Sequence, residues 1–189
     1  MAGWKKAFAH LLTFIPSHLP EVIMRIVSFV ASSSNSGKTT LIEKVVVILK
    51  ARGLRVAVVK HASGGFELDK PGKDSWRFRQ AGADAVVLVG PDSMALMKNI
   101  SREPSAENLA SLFADVDVVI QEGFKHSAVN RIEVFRSGVS GNRPLCLSDR
   151  SYLALVSDRP IEVAIPRFDW NDAEGVAEFI VNSPDIAHG

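Results

Sequence analysis

Between Met24 and Gly53 the chain runs from an apolar stretch, MRIVSFVA, through a polar turn, SSSNSGKTT, into TTLIEKVVVILKARG. That succession leaves few folds open. A strand that is apolar on both faces belongs inside a parallel sheet covered on both sides. Leu41, Ile42, Val45, Ile48 and Leu49 recur at helical spacing on the segment that follows, and Gly53 stands where such a helix would end. The turn matches G-x-x-x-x-G-K-[ST] with Gly37, Lys38 and Thr39 in the last three places, while Ser32 replaces the first glycine.

Each position in this turn has a physical task. The amides of Ser34, Asn35, Ser36, Gly37, Lys38, Thr39 and Thr40 would line a concave nest at a helix N-terminus, which favours an anion. Gly37 lets the backbone approach phosphates without a Cβ. Lys38 would reach the β- and γ-phosphates of a nucleoside triphosphate, and Thr39 would offer its hydroxyl to Mg²⁺. The serine at position 32 leads us to expect slow phosphate chemistry.

Downstream, apolar runs alternate with helical segments, which predicts an α/β fold of the P-loop NTPase kind: a mostly parallel sheet with helices on both faces. The strand candidates are LRVAVVKH, DAVVLVG, SMALMKNI, DVVIQEG, RIEVFR, LALVSD and EVAIP, with DAVVLVG and SMALMKNI read as a hairpin. SAENLASLFADV and DAEGVAEFIVN are read as helices, the first with Ser105 as its N-cap. Residues 24–189 are read as one nucleotide-binding domain. Residues 1–23 are read as a loosely attached extension, with a partner-docking helix or a membrane-surface segment as alternatives. Trp4, Phe8, Leu11, Leu12 and Ile15 recur at helical spacing there, but the segment is too short to span a bilayer and shows no clear signal-cleavage site.

Composition removes other classes. Apolar residues make up 47% and charged residues 23%, ordinary for a folded soluble domain, and a net charge of +1 offers no electrostatic footprint for nucleic acid. Cys146 is the lone cysteine, so neither an internal disulfide nor a thiolate cluster can form, as befits a reducing cytoplasm. It is expected to be a small buried residue.

A phosphate turn needs a carboxylate close to Mg²⁺, commonly at the end of a neighbouring strand. Glu122, which ends DVVIQ before Gly123, is the candidate for a metal or water-linked ligand, against an exposed strand-end carboxylate. Asp69 lies in the polar stretch HASGGFELDKPGKD, where a covering loop could bring it to the metal or to a water. Asp74 competes between such a role and capping the next helix. Lys70 and Lys73 either neutralise phosphate or keep the loop soluble, and a strict ligand role for Glu67 is doubtful. His61 is read as a hydrogen-bonding group beside the loop, since none of the other four histidines falls at metal-ligand spacing. Arg77 and Arg79 read as a solvated helix face, with contact to a partner's anion as the alternative. Asp158, closing LALVSD, could accept from a guanine base or belong to an ordinary turn.

VVKHASGGFELDKPGKDSWRFRQAGA, together with DVVIQEGFK and RIEVFR, resembles the molybdopterin-guanine dinucleotide biosynthesis adaptor proteins of the MobB type. The resemblance spans about Met24 to Asn182. It implies a GTP-binding, Mg²⁺-dependent P-loop protein, dimeric, cytoplasmic and at most a slow GTPase. Such a protein assists the enzyme that joins molybdopterin to a guanine nucleotide. Lys38, Asp69 and Glu122 would be its catalytic residues, and Thr39, Asp69 and Glu122 its metal ligands. Dimerisation would use SMALMKNI or RIEVFR. An ATP-dependent small-molecule kinase and a metal-insertion GTPase are the rival readings.

Overall fold

The computed structural model describes residues 24–186 except 111, 114, 126–128 and 142; the expectations for residues 1–23 fall outside the described residues. Six strands form one parallel sheet in the order β2-β5-β1-β6-β7-β8. They are β1 (Arg25–Val30), β2 (Val56–Lys60), β5 (Val118–Glu122), β6 (Arg131–Phe135), β7 (Tyr152–Ser157) and β8 (Arg167–Asp169). Two more, β3 (Ala85–Val89) and β4 (Met94–Lys98), pair antiparallel as a separate hairpin. The helices are α1 (Lys38–Ala51), α2 (Asp74–Gln80), α3 (Ala106–Ala110) and α4 (Ala173–Asn182).

Both faces of the sheet are covered, as an all-parallel sheet requires. Val27 and Phe29 of β1, with Val118 and Ile120 of β5, point into the main core beneath α1 and α4. The alternate residues Ile26 and Val119 face the other way, onto Ala57 and Ala110 of α3. The end of α1 is built as the sequence suggests. Gly53 takes φ 82°, its amide donates to Lys50 O at 3.0 Å and that of Leu54 donates to Leu49 O at 3.2 Å, which satisfies the last carbonyls. Arg52 then ties this end to Glu174 and Glu178 of α4.

Several expectations are corrected. EVAIP is not a strand; β8 begins after it, because Pro160 and Pro166 lack the N–H a ladder needs, and Pro166 contributes its carbonyl to Leu155 N at 2.9 Å. The helix after Ser105 ends at Ala110, where Phe113 N donates to Ala110 O at 2.9 Å and turns the chain; Ser105 Oγ does accept the cap bond from Asn108 N at 3.2 Å. Asp74 does not cap α2: Lys73 stands at the cap position, and Asp74 pairs with Arg77 at 3.6 Å within the first turns. RIEVFR cannot be a dimer edge, since β6 is hydrogen-bonded to β1 on one side and β7 on the other. Cys146 is half-buried, in a short 3₁₀ turn at Leu145–Leu147.

That 3₁₀ turn explains a residue the sequence did not single out. Glu133 in the middle of β6 is fully buried, and its carboxylate accepts from Leu145 N at 2.8 Å and Cys146 N at 2.9 Å. Two half-buried main-chain donors are thereby satisfied by one fully buried carboxylate. The Cys146 thiol beside it is pushed up to about 12 by burial first and by Glu133 second.

Candidate functional site

The phosphate turn lies at the carboxyl end of β1, where the chain crosses from one half of the sheet to the other. Ligands of open α/β sheets bind at such a place. Asn35 and Gly37 take positive φ, 59° and 79°, curling the turn before α1 begins. No side chain caps α1, and its first turn carries no acidic residue. Its first amides are therefore left with the partial positive charge of an uncapped helix N-terminus, which suits an anion.

Side chains hold the turn in shape. Ser32 Oγ donates to Ser140 O at 2.6 Å, Ser33 Oγ to Val139 O at 2.9 Å, and Lys125 Nζ to Ser32 O at 2.7 Å. Ser32 is not among the positive-φ residues, so its backbone does not demand the missing glycine, and its hydroxyl braces the turn. On the far side the indole of Trp170 packs against Gly37, so that any Cβ there would overlap the ring. Arg136 stacks on the other part of this wall, 5.6 Å from the Trp170 ring centre.

Lys38, Thr39 and Glu122 are brought together. Lys38 Nζ donates to Ser33 O at 3.2 Å and Ser36 Oγ at 3.1 Å, so the ammonium folds back over the turn. Thr39 Oγ1 donates to Glu122 Oε1 at 2.9 Å, and Lys60 approaches Glu122 Oε2 at 3.4 Å. Burial lowers the Lys38 pKa, Glu122 opposes this, and the nearby ammoniums of Lys125 and Lys60 add to the lowering. Three lysines and one carboxylate thus share a cleft of about 700 Å³, whose wall includes Ser34, Asn35, Lys38 and Thr39. The excess of cations suits a polyphosphate, and the hydroxyl–carboxylate pair offers hard oxygen donors suited to Mg²⁺. Among the described residues no group of three His, Cys, Asp or Glu could hold a metal by itself.

Ser36 is fully buried under the turn, and Thr40 lies in the first turn of α1. Asp69 and Asp158 stand apart from the cleft. Asp69 Oδ1 accepts from Ser75 Oγ at 2.8 Å, and Asp69 lines a different cavity. Asp158, exposed at the end of β7, accepts from Ser137 N at 3.0 and 3.1 Å and from Ser137 Oγ at 2.7 Å. His61 is hydrogen-bonded as expected: Nε2 meets Glu103 Oε1 at 2.9 Å, and its ring lies 5.1 Å from Phe124. Gly123 has φ 102°, and a Cβ there would come within 3.1 Å of His61 Cβ, so the glycine permits the chain leaving β5 to lie close against the chain leaving β2. The sequence reading missed Lys60, Lys125, Ser140 and Trp170. Lys60 and Lys125 carried a signal, since one closes an apolar strand and the other stands just past one; Ser140 and Trp170 carried none.

Residues 26–158 match the family described as molybdopterin guanine dinucleotide synthesis protein B. The chain is 38% identical over 159 residues to the molybdopterin-guanine dinucleotide biosynthesis adapter protein of Escherichia coli (strain K12), covering 80% of this chain and 89% of that protein. It is 37% identical over 158 residues to the protein of the same description from Haemophilus influenzae, covering 82% and 88%. A crystal structure of molybdopterin-guanine biosynthesis protein B superposes with a TM-score of 0.63 at 33% identity, over 82% of this chain and 97% of that one. Bacillus subtilis MobB, at 22% identity, shares the fold with a TM-score of 0.66 over 83% of this chain and 96% of that one. A phosphate turn at the end of a central parallel strand, on this fold and with these relatives, means that the chain belongs to the MobB family.

Proposed function

We propose that this protein is a GTP-binding adaptor for attaching a guanine nucleotide to molybdopterin, acting in the cytoplasm beside the nucleotidyltransferase that performs the step. The reading is carried by one observation: Thr39 donates to Glu122 while Lys38 folds over the same turn. Ser34 to Thr40 would hold the phosphates and Lys38 would meet the terminal one. Mg²⁺, held by Thr39 and Glu122, would neutralise charge between the β- and γ-phosphates. Asp158 would turn from Ser137 to the guanine edge, and Asp69 would join the metal only if its loop swings away from Ser75.

Glu122 is engaged by both Thr39 and Lys60, which suits a ligand better than a free base, so turnover would be slow. The adaptor names of the relatives support the assignment. Lys38→Ala should abolish GTP binding without changing the melting temperature, and GTP should outcompete ATP. Capture from native lysate with GTP added should recover the nucleotidyltransferase. Retained GTP affinity in Lys38→Ala would sink the reading.

The adaptor would act as a homodimer through the β3–β4 hairpin. Val87 pairs with Leu96 and Val89 with Met94, which places four apolar side chains on one face, and Val89 and Met94 are 77% and 73% exposed. A lone two-stranded ribbon is marginal in water, and covering this face would stabilise it. Met94→Lys should shift sedimentation from dimer to monomer; an unchanged sedimentation coefficient would exclude this interface.

A further inference from the structure

Two further clefts continue from the phosphate turn. The first, of about 620 Å³, shares His61, Phe124 and Lys125 with the phosphate cleft and adds Arg102. The second, of about 820 Å³, shares Pro104 and Asn108 with the first. It is mainly apolar, with Trp76 in its wall. Asp69 lines this last cleft as well, and its Oδ2 is buried with no hydrogen-bond partner among the described residues. A buried carboxylate oxygen left unpaired is costly, and an N–H donor brought by a ligand removes that cost.

We infer that the far cleft binds a phosphorylated 2-amino-4-oxo heterocycle, with its amino edge donating to Asp69, its ring against Trp76 and its phosphate in the neck at Arg102 and Lys125. The chemistry of the three clefts changes in the order such a molecule requires. The neck carries two cations, and its carboxylate Glu103 is already held by His61 at 2.9 Å. Beyond it lie apolar walls suited to a flat ring, with Asp69 Oδ2 as a buried acceptor without a partner among the described residues. An N–H pair flanking a ring carbonyl and an exocyclic amine match one carboxylate, whereas an adenine edge does not offer that pair. Guanine and a pterin share this edge. This inference deepens the adaptor reading and rests on it for the occupant of the phosphate turn: the protein would hold GTP and a second, pterin-like phosphate in one trough.

The test uses the full chain, saturated with GTP and Mg²⁺ and titrated with 6-hydroxymethylpterin phosphate while the pterin's own fluorescence is followed. Saturable micromolar binding is expected, weakened tenfold or more in Asp69→Asn and in Trp76→Leu. GMP added as competitor distinguishes the sources: displacement assigns the cleft to a guanine nucleotide, and no displacement assigns it to the pterin. No saturable binding of either compound overturns the inference. So does an affinity that neither Asp69→Asn nor Trp76→Leu moves, with Trp76→Leu deciding alone if Asp69→Asn does not fold. Failure of the GTP reading would show separately, as Lys38→Ala still binding GTP.

Discussion

Replacing Gly37 by alanine separates two demands that the phosphate turn makes of one residue. The first is conformational: φ is 79°, and an L-residue held in the left-handed region costs roughly 1–2 kcal/mol. The second is steric. A Cβ on Gly37 would stand closer than 3.0 Å to Cη2 and Cζ2 of Trp170, so the indole must move. Overpacking of that kind costs roughly 1–3 kcal/mol. Gly37→Ala should therefore destabilise by about 2–5 kcal/mol, the sum of the two ranges. Trp170→Leu removes the two clashing ring atoms and leaves the backbone demand untouched. In that background Gly37→Ala should cost only the conformational part, a coupling of about 1–3 kcal/mol between contacting sites. Urea unfolding followed by far-ultraviolet circular dichroism measures all four corners of the cycle. If Gly37→Ala costs the same in both backgrounds, the indole does not brace the turn and the packing argument is wrong.

Glu133→Ala should lower stability by about 2 kcal/mol in the same assay, because two half-buried amides of the 3₁₀ turn lose a charged acceptor. The Cys146 thiol, with its pKa pushed up to about 12, should alkylate far more slowly at pH 8 than the same thiol in urea; equal rates measured by mass spectrometry would refute its shielding. Asp117 accepts from Arg55 N and pairs with the Arg55 guanidinium, which holds its pKa below the ordinary carboxylate value. Its contribution is present above its unfolded pKa of about 4 and is lost as pH falls through the lower folded value. Asp117→Asn should therefore remove part of the acid dependence of the melting temperature below about pH 4, at a cost near 1 kcal/mol at neutral pH.

What could be read from the chain follows from how local the cause was. The strand, turn and helix around Lys38 announce themselves because apolar period, glycine and lysine all lie within one short segment. Glu122 was legible for the same reason, as a polar residue ending an apolar run. Trp170 and Ser140 reach the turn from far along the chain, and no local pattern records such an encounter. Glu133 looked like the polar half of an alternating strand, and nothing nearby revealed two amides waiting for it across the fold. EVAIP was misread because its apolar alternation outweighed the two prolines around it, although each removes a ladder donor. Asp69 was placed by loop position alone, and the loop carries it to Ser75 instead.

Trp170 follows directly after β8, an outermost strand of the main sheet, and touches the residue on which the phosphate turn pivots. A neighbouring protein's backbone that shifted this rim would move the ring packed on Gly37. Free-energy linkage makes the traffic two-way: a visitor that tightens nucleotide binding tenfold is itself held tenfold more firmly when nucleotide is present.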